Sequence, residues 1–205
     1  MKTTLRPARL FLLPPLLLGL LLAGCAGLPR EGAPVKVYDF GQPGDAQTPG
    51  DAADLAGRIA LDVRAAPWLN GPEIDYRLAY GDPFRRSQYA GSRWAAPPAL
   101  LLAQQLRRQV GFAAVDSVAA DCVLRVELQE FSQVFSAPQA SRGTLLGQVS
   151  LIDGKRRPIA GYAVGIERPA PEPDAAGGVQ ALVEASHELG RQIADWLHRL
   201  KTENG

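Results

Sequence analysis

Few side chains in this sequence could do chemistry of their own. Two cysteines, Cys25 and Cys122, and two histidines, His187 and His198, are the thiols and imidazoles of the chain. Two cysteines exclude a four-cysteine zinc site and a disulfide-stapled scaffold. The histidines stand 11 positions apart. On one helix they would share nearly one face but lie ~16 Å apart along the axis, too far to share a metal. His187, with Glu184 and Glu188 close by in sequence, reads as a solvated helix position. A phosphate-wrapping loop needs two spaced glycines followed by Lys and Ser or Thr. Gly154-Lys155 is followed by Arg156, and Gly147 lies too far upstream. No Gly-x-Ser-x-Gly elbow occurs. The expectation is therefore a protein that is not an enzyme, with no cofactor, no metal site and no catalytic residue. The thiol whose surroundings do suggest a reaction is Cys25, which follows Leu22-Ala23-Gly24.

The element that positions Cys25 is a targeting segment. Lys2, Arg6 and Arg9 make a basic start, and the run from Leu10 to Ala23 is almost wholly apolar. A basic region, a short apolar stretch and small residues before a break define a secretory signal. The apolar run is shorter than the roughly 20 residues needed to cross a bilayer, and Pro14 and Pro15 weaken a permanent helix there. Leu22-Ala23-Gly24-Cys25 resembles a bacterial lipobox, in which a lipid is attached to the cysteine and the chain is cut just before it. Several acyl chains of the palmitate type on one cysteine anchor stably, whereas one chain binds only marginally. Ala26, where Asp commonly signals inner-membrane retention, implies the outer membrane, with the inner membrane as the alternative.

Cleavage would remove Lys2, Arg6 and Arg9 and turn a formal charge of +1 into −2. Such a chain is no nucleic-acid binder, which needs a clustered basic face. Nor would charge draw it to an anionic membrane, so the lipid anchor must hold it. An apolar fraction of 46% in 205 residues fits one ordinary globular domain. The expected division is a signal peptide over residues 1–24, a lipidated tether over 25–33, an α/β domain over 34–200 and a tail over 201–205.

Within the domain, Val35 to Phe40 reads as a strand and residues 41–56 as a surface loop. Ile59, Leu61 and Val63 alternate with polar neighbours in a second strand, and Ile74 to Tyr80 makes a third. Arg86 to Ala90 reads as a short extended piece. Pro97 and Pro98 open a helix that Gly111 ends. Cys122 to Phe135 is a long strand with a phase change, and hence a bulge, near Glu130-Phe131. Cys122 falls on its apolar face, as a small buried hydrophobe. Residues 143–153 and 157–168 pair as a hairpin around Asp153-Gly154-Lys155, followed by a Pro/Ala/Gly loop over 169–178. From Val179 to Leu200 apolar residues recur every three or four positions, one stripe along a helix that must cover a sheet. The predicted fold is α/β: a single domain with a mixed sheet of about six to seven strands and two main helices, the longer one C-terminal.

Three stretches together resemble the ABC-type transport auxiliary lipoprotein family, whose PqiC-like members accompany phospholipid transport systems. They are Tyr76-Arg77-Leu78; Tyr89-Ala90-Gly91-Ser92-Arg93-Trp94 with Ala95-Ala96-Pro97-Pro98 and the helix after it; and Phe131-Ser132-Gln133-Val134-Phe135 with the hairpin and the helix through Asp195-Trp196-Leu197. The resemblance implies a non-enzymatic lipoprotein facing the periplasm. It also implies MCE-domain proteins and their ABC permease and ATPase as partners, and it accommodates a homo-oligomer. The residues themselves leave two other functions open. One is a stand-alone periplasmic lipid-binding lipoprotein, which needs an enclosed apolar cavity of roughly several hundred Å³. The other is a lipoprotein hydrolase.

Tyr89, Arg93 and Trp94 are the candidate partner contacts, because Tyr, Arg and Trp dominate interface hot spots. The alternative is that Trp94 packs under the following helix and Arg93 pairs with a carboxylate. Trp68, between Pro67 and Leu69, poses the same choice.

Overall fold

The computed structural model describes residues 33–41, 58–113 and 120–204. From Val35 onward the chain forms one compact unit. Its strands are β1 (Lys36–Tyr38), β2 (Ile59–Ala65), β3 (Glu73–Leu78), β4 (Ser87–Trp94), β5 (Cys122–Ala137), β6 (Ala140–Asp153) and β7 (Pro158–Pro169). The helices are α1 (Pro98–Val110) and α2 (Ala175–Asn204), and a 3-10 turn spans Pro67–Leu69. Cys25 and most of the 41–56 stretch lie outside the described residues.

The seven strands form a mixed sheet in the order β1-β4-β3-β5-β6-β7, with β2 also on β5. The long strand β5 organises it. One of its edges pairs antiparallel with β6 along nearly the whole length. Its other edge is shared end to end, parallel to β2 from Cys122 to Leu128 and parallel to β3 from Ser132 to Phe135. Between those two pairings the chain leaves the edge through the 3-10 turn, where the Ala66 amide donates to Leu128 O at 2.8 Å.

Side chains alternate across a strand, so Leu124, Val126 and Leu128 of β5 share the buried face. Phe131 also points into the core, three positions on, which strict alternation forbids. The ladder slips between Leu128 and Glu130, and this bulge at Gln129 resets the phase. Both helices cover that same face, α2 across β5, β6 and β7 and α1 on β2 and α2. Helix α1 begins with Pro98 and ends at Gly111, whose φ of 88° a side chain would resist. Helix α2 begins four residues before the apolar stripe does, because the Asp174 carboxylate accepts from the Gly177 amide at 2.8 Å. Leu182, Ala185, Leu189, Ile193 and Leu197 are its buried stripe. The opposite face of the sheet carries no helix among the described residues.

Candidate functional site

The segment Tyr89 to Trp94 is not a loop. It is most of β4, a full strand paired antiparallel with β3 and parallel with β1. The short extended piece expected at 86–90 is the start of this longer strand, which continues because β3 and β1 supply partners on both of its edges.

That placement splits the expected cluster. Trp94 is 1% exposed. Its ring meets Phe40 edge-on at 5.6 Å and Phe131 at 5.7 Å, and its amide donates to Pro72 O at 2.7 Å. Trp94 is therefore a core residue and offers no surface contact in the folded chain. Arg93, its neighbour in the strand, points to the other side and is exposed, opposite Glu73 on β3 and Val37 on β1. Adjacent strand residues cannot form one patch, so Arg93 and Trp94 do not act together.

Tyr89 is half-buried on the helix side. Its hydroxyl donates to Gln133 Oε1 at 2.8 Å, and Gln133 Nε2 donates to Ser141 Oγ at 2.8 Å. Its ring lies 4.7 Å from that of Tyr76. Burial first, then Tyr76 and Asp174, push its pKa up to about 12, so it acts as a neutral hydrogen-bond donor. Gly178 of α2 makes room for this chain, since a Cβ there would stand 2.6 Å from Gln133 Cδ.

On the bare face, the residues between β3 and β5 hold a charge network that sequence reading did not find. Arg86 Nη1 donates to Asp75 Oδ2 at 2.6 Å, and Arg86 Nη2 reaches both Glu130 oxygens at 3.0 and 3.1 Å. Arg77 Nη2 donates to Glu130 Oε2 at 2.9 Å. Asp75 is 3% exposed. Burial raises its pKa above 3.8, against the pull of Arg86. The bulge at Gln129 puts Glu130 on this face, and β4 begins just after Arg86. Only the pairing of β3 with both β4 and β5 brings these residues together, which is why no local pattern announces them. Asp75 standing between the apolar Ile74 and Tyr76 was the available signal.

His187 is not a solvated position. It is half-buried between α1 and α2, with Nδ1 2.9 Å from Gln105 Nε2. Gln109 Nε2 donates to His187 O at 2.9 Å. Burial, with Arg191 and Arg108, lowers its pKa. The neutral ring therefore accepts at Nδ1 and carries its proton on Nε2. Cys122, at the first position of β5, packs against the core while remaining partly exposed, and burial raises its pKa. Trp68 is 59% exposed, and its Nε1 donates to Gln129 O at 3.3 Å. A groove of about 380 Å³ runs between Tyr162 of β7 and Gln192, Asp195, Trp196 and Arg199 of α2. It is open to solvent, with an amide and two charged side chains in its lining. No group of three or more His, Cys, Asp or Glu suited to a metal occurs among the described residues. No described helix is long and apolar enough to cross a membrane.

Among the described residues, a mixed sheet with both helices on one face and ion pairs on the other defines a two-layer α/β module. The chain belongs to the ABC-type transport auxiliary lipoprotein component family, whose model matches residues 38–194. The fold agrees. A crystal structure of a Xanthomonas campestris protein of the family model DUF330 superposes with a TM-score of 0.68 at 18% identity, covering 82% of this chain and 98% of that one. A crystal structure of an uncharacterized protein gives a TM-score of 0.62 at 14% identity, covering 80% and 99%. No curated protein matches the chain in sequence.

Proposed function

We propose that the mature protein is a non-enzymatic auxiliary subunit of an MCE-type ABC phospholipid transport system, held by acyl chains on Cys25 at the periplasmic face of the outer membrane. The family supports a lipoprotein serving an ABC transporter; the finer reading rests on the lipobox and on the geometry. The observation that carries it is the face of the sheet that carries no helix among the described residues, where Arg93 stands exposed opposite Glu73 on paired strands. A cation on a rigid strand can meet a partner with little loss of backbone freedom. Three polar groups of types used in catalysis are committed to the fold: Tyr89 to Gln133, His187 to Gln105 and Asp75 to Arg86.

Mild extraction of the tagged protein from membranes tests this. Wild type should retain an MCE-domain protein, and Arg93→Glu should lower its recovery by about tenfold or more, as a charge reversal at a contact does. A wild type that retains no MCE-domain protein would sink the proposal. An Arg93→Glu variant that binds normally would move the contact elsewhere on the chain.

A further inference from the structure

The connection from β3 to β4 displays apolar side chains that its own fold does not hide. Phe84 is 92% exposed and Tyr80 50%. The connection is not loose. The amides of Gly81 and Asp82 both donate to Leu78 O at 2.9 and 3.0 Å, and the Phe84 amide donates to Asp82 Oδ1 at 3.1 Å. Arg77 Nη1 reaches Phe84 O at 3.4 Å, and its other nitrogen is tied to the half-buried Glu130. Pro83 fixes its own φ. The loop therefore holds Phe84 out, with the exposed Arg85 beside it.

The direction of β1 shows at which end of the sheet its first residue lies. β1 runs parallel to β4, with Lys36 beside Ser92 and Tyr38 beside Trp94. Followed backwards from Lys36, the strand heads toward Ser87 and thus toward the Phe84 loop. Cys25 precedes Val35 by ten residues, a contour of at most ~35 Å. The β6–β7 turn around Lys155 lies at the opposite end, about 45 Å away along β6.

We infer that the Phe84 loop is a second membrane contact: Phe84 and Tyr80 enter the boundary between headgroups and acyl chains, and Arg85 lies at the lipid phosphates. This rests on the proposed Cys25 anchor, which brings that end of the sheet within reach of the bilayer. An aromatic tip with an adjacent cation suits that boundary, where one part of the side-chain set is apolar and the other wet. A single aromatic tip binds weakly alone, and it orients a domain whose lipid anchor already keeps it at the surface.

The test uses the full lipidated chain carrying Cys122→Ala, with Phe84→Cys or Lys155→Cys labelled by an environment-sensitive fluorophore. Each protein is placed in phosphatidylethanolamine–phosphatidylglycerol vesicles containing nitroxide-labelled lipid, and its intact mass is read from the same preparation. Quenching at position 84 should exceed that at position 155 by at least ~3-fold, as insertion ~5–10 Å into the boundary implies. Equal quenching on an acylated chain overturns the loop contact and leaves the anchor standing. An unacylated Cys25 overturns the anchor and the loop contact with it. A label at position 84 that vesicles leave unshielded, and that only an added transport protein protects, assigns the loop to a protein partner and also overturns the lipid contact.

Discussion

The two faces of this sheet are stabilised in different ways. On the covered face, Leu124, Val126, Leu128 and Phe131 of β5 meet Leu182, Leu189 and Ile193 of α2 in one apolar layer. Each contributes by leaving water, an effect that needs no particular partner. On the bare face, Arg86, Asp75, Glu130 and Arg77 hold one another through pairings 11 to 53 residues apart. Those bonds demand register: one slipped residue would turn every member to the wrong side. A slip would expose the apolar layer as well, and the bare face further needs β3, β4 and β5 aligned closely enough for its ion pairs to meet at hydrogen-bond distance. A site on the bare face is thus as exact as the sheet beneath it.

Substitutions can break this contrast, and their effects should fall in a definite order. Leu189→Asp buries a charge in the apolar layer and should cost about 5 kcal/mol, most of the stability of an ordinary domain. Circular dichroism should find little folded protein at 37 °C, and an unchanged melting temperature would mean that α2 does not rest on the sheet. Trp94→Ala empties the space beside Phe40 and Phe131 and should cost about 3–5 kcal/mol in urea unfolding. A loss of partner binding in that variant without loss of stability would return Trp94 to the surface.

Arg86→Ala should cost about 3 kcal/mol at pH 7 by leaving Asp75 buried and unpaired. Burial already holds the Asp75 pKa above 3.8. The ionised carboxylate is therefore the unfavourable form, and its penalty is present above the folded pKa and relieved as pH falls toward 3.8. The gap in melting temperature between wild type and Arg86→Ala should accordingly narrow from pH 7 to pH 4; a gap that widens would contradict the assignment.

His187 has the opposite sign. Its folded pKa lies below 6.5, so the stability its neutral form contributes is complete above pH 6.5 and is lost as pH falls through the lowered value. His187→Gln should flatten the melting temperature between pH 7 and pH 5, while a curve parallel to wild type would leave the imidazole without a role. Arg93→Ala, exposed on the bare face, should move stability by less than about 0.5 kcal/mol. A larger change in thermal unfolding would make Arg93 part of the fold rather than a site for partners.

Most of the covered face was legible in the sequence because its signals are local. The stripe from Val179 to Leu200, the proline and glycine that bound α1, and the phase change near Glu130 are each read from one continuous stretch of chain, and each has its counterpart in the fold. The candidate contacts were less legible. Tyr89, Arg93 and Trp94 lie within one short segment, but residue type alone does not tell which face each one takes. The bulge-shifted ladder between β3 and β4 decides that, placing Trp94 in the core and Arg93 outside. His187 sits among charged neighbours in sequence, and the glutamines that enclose it come from α1, about 80 residues earlier.

The shared edge of β5 also orders the assembly of the domain in time. β5, β6, β7 and α2 follow one another through short turns, so their contacts close small loops early. β2 must wait for a partner 63 positions downstream, Ile59 for Cys122, and β3 for one 57 positions away, Asp75 for Ser132. Non-local pairings of this kind form late because chain entropy is lost before the contacts repay it. The C-terminal meander and its helix should therefore form first. The strands bearing Arg93 and flanking the Phe84 loop are the last to dock, and in hydrogen exchange their amides should be the first to open.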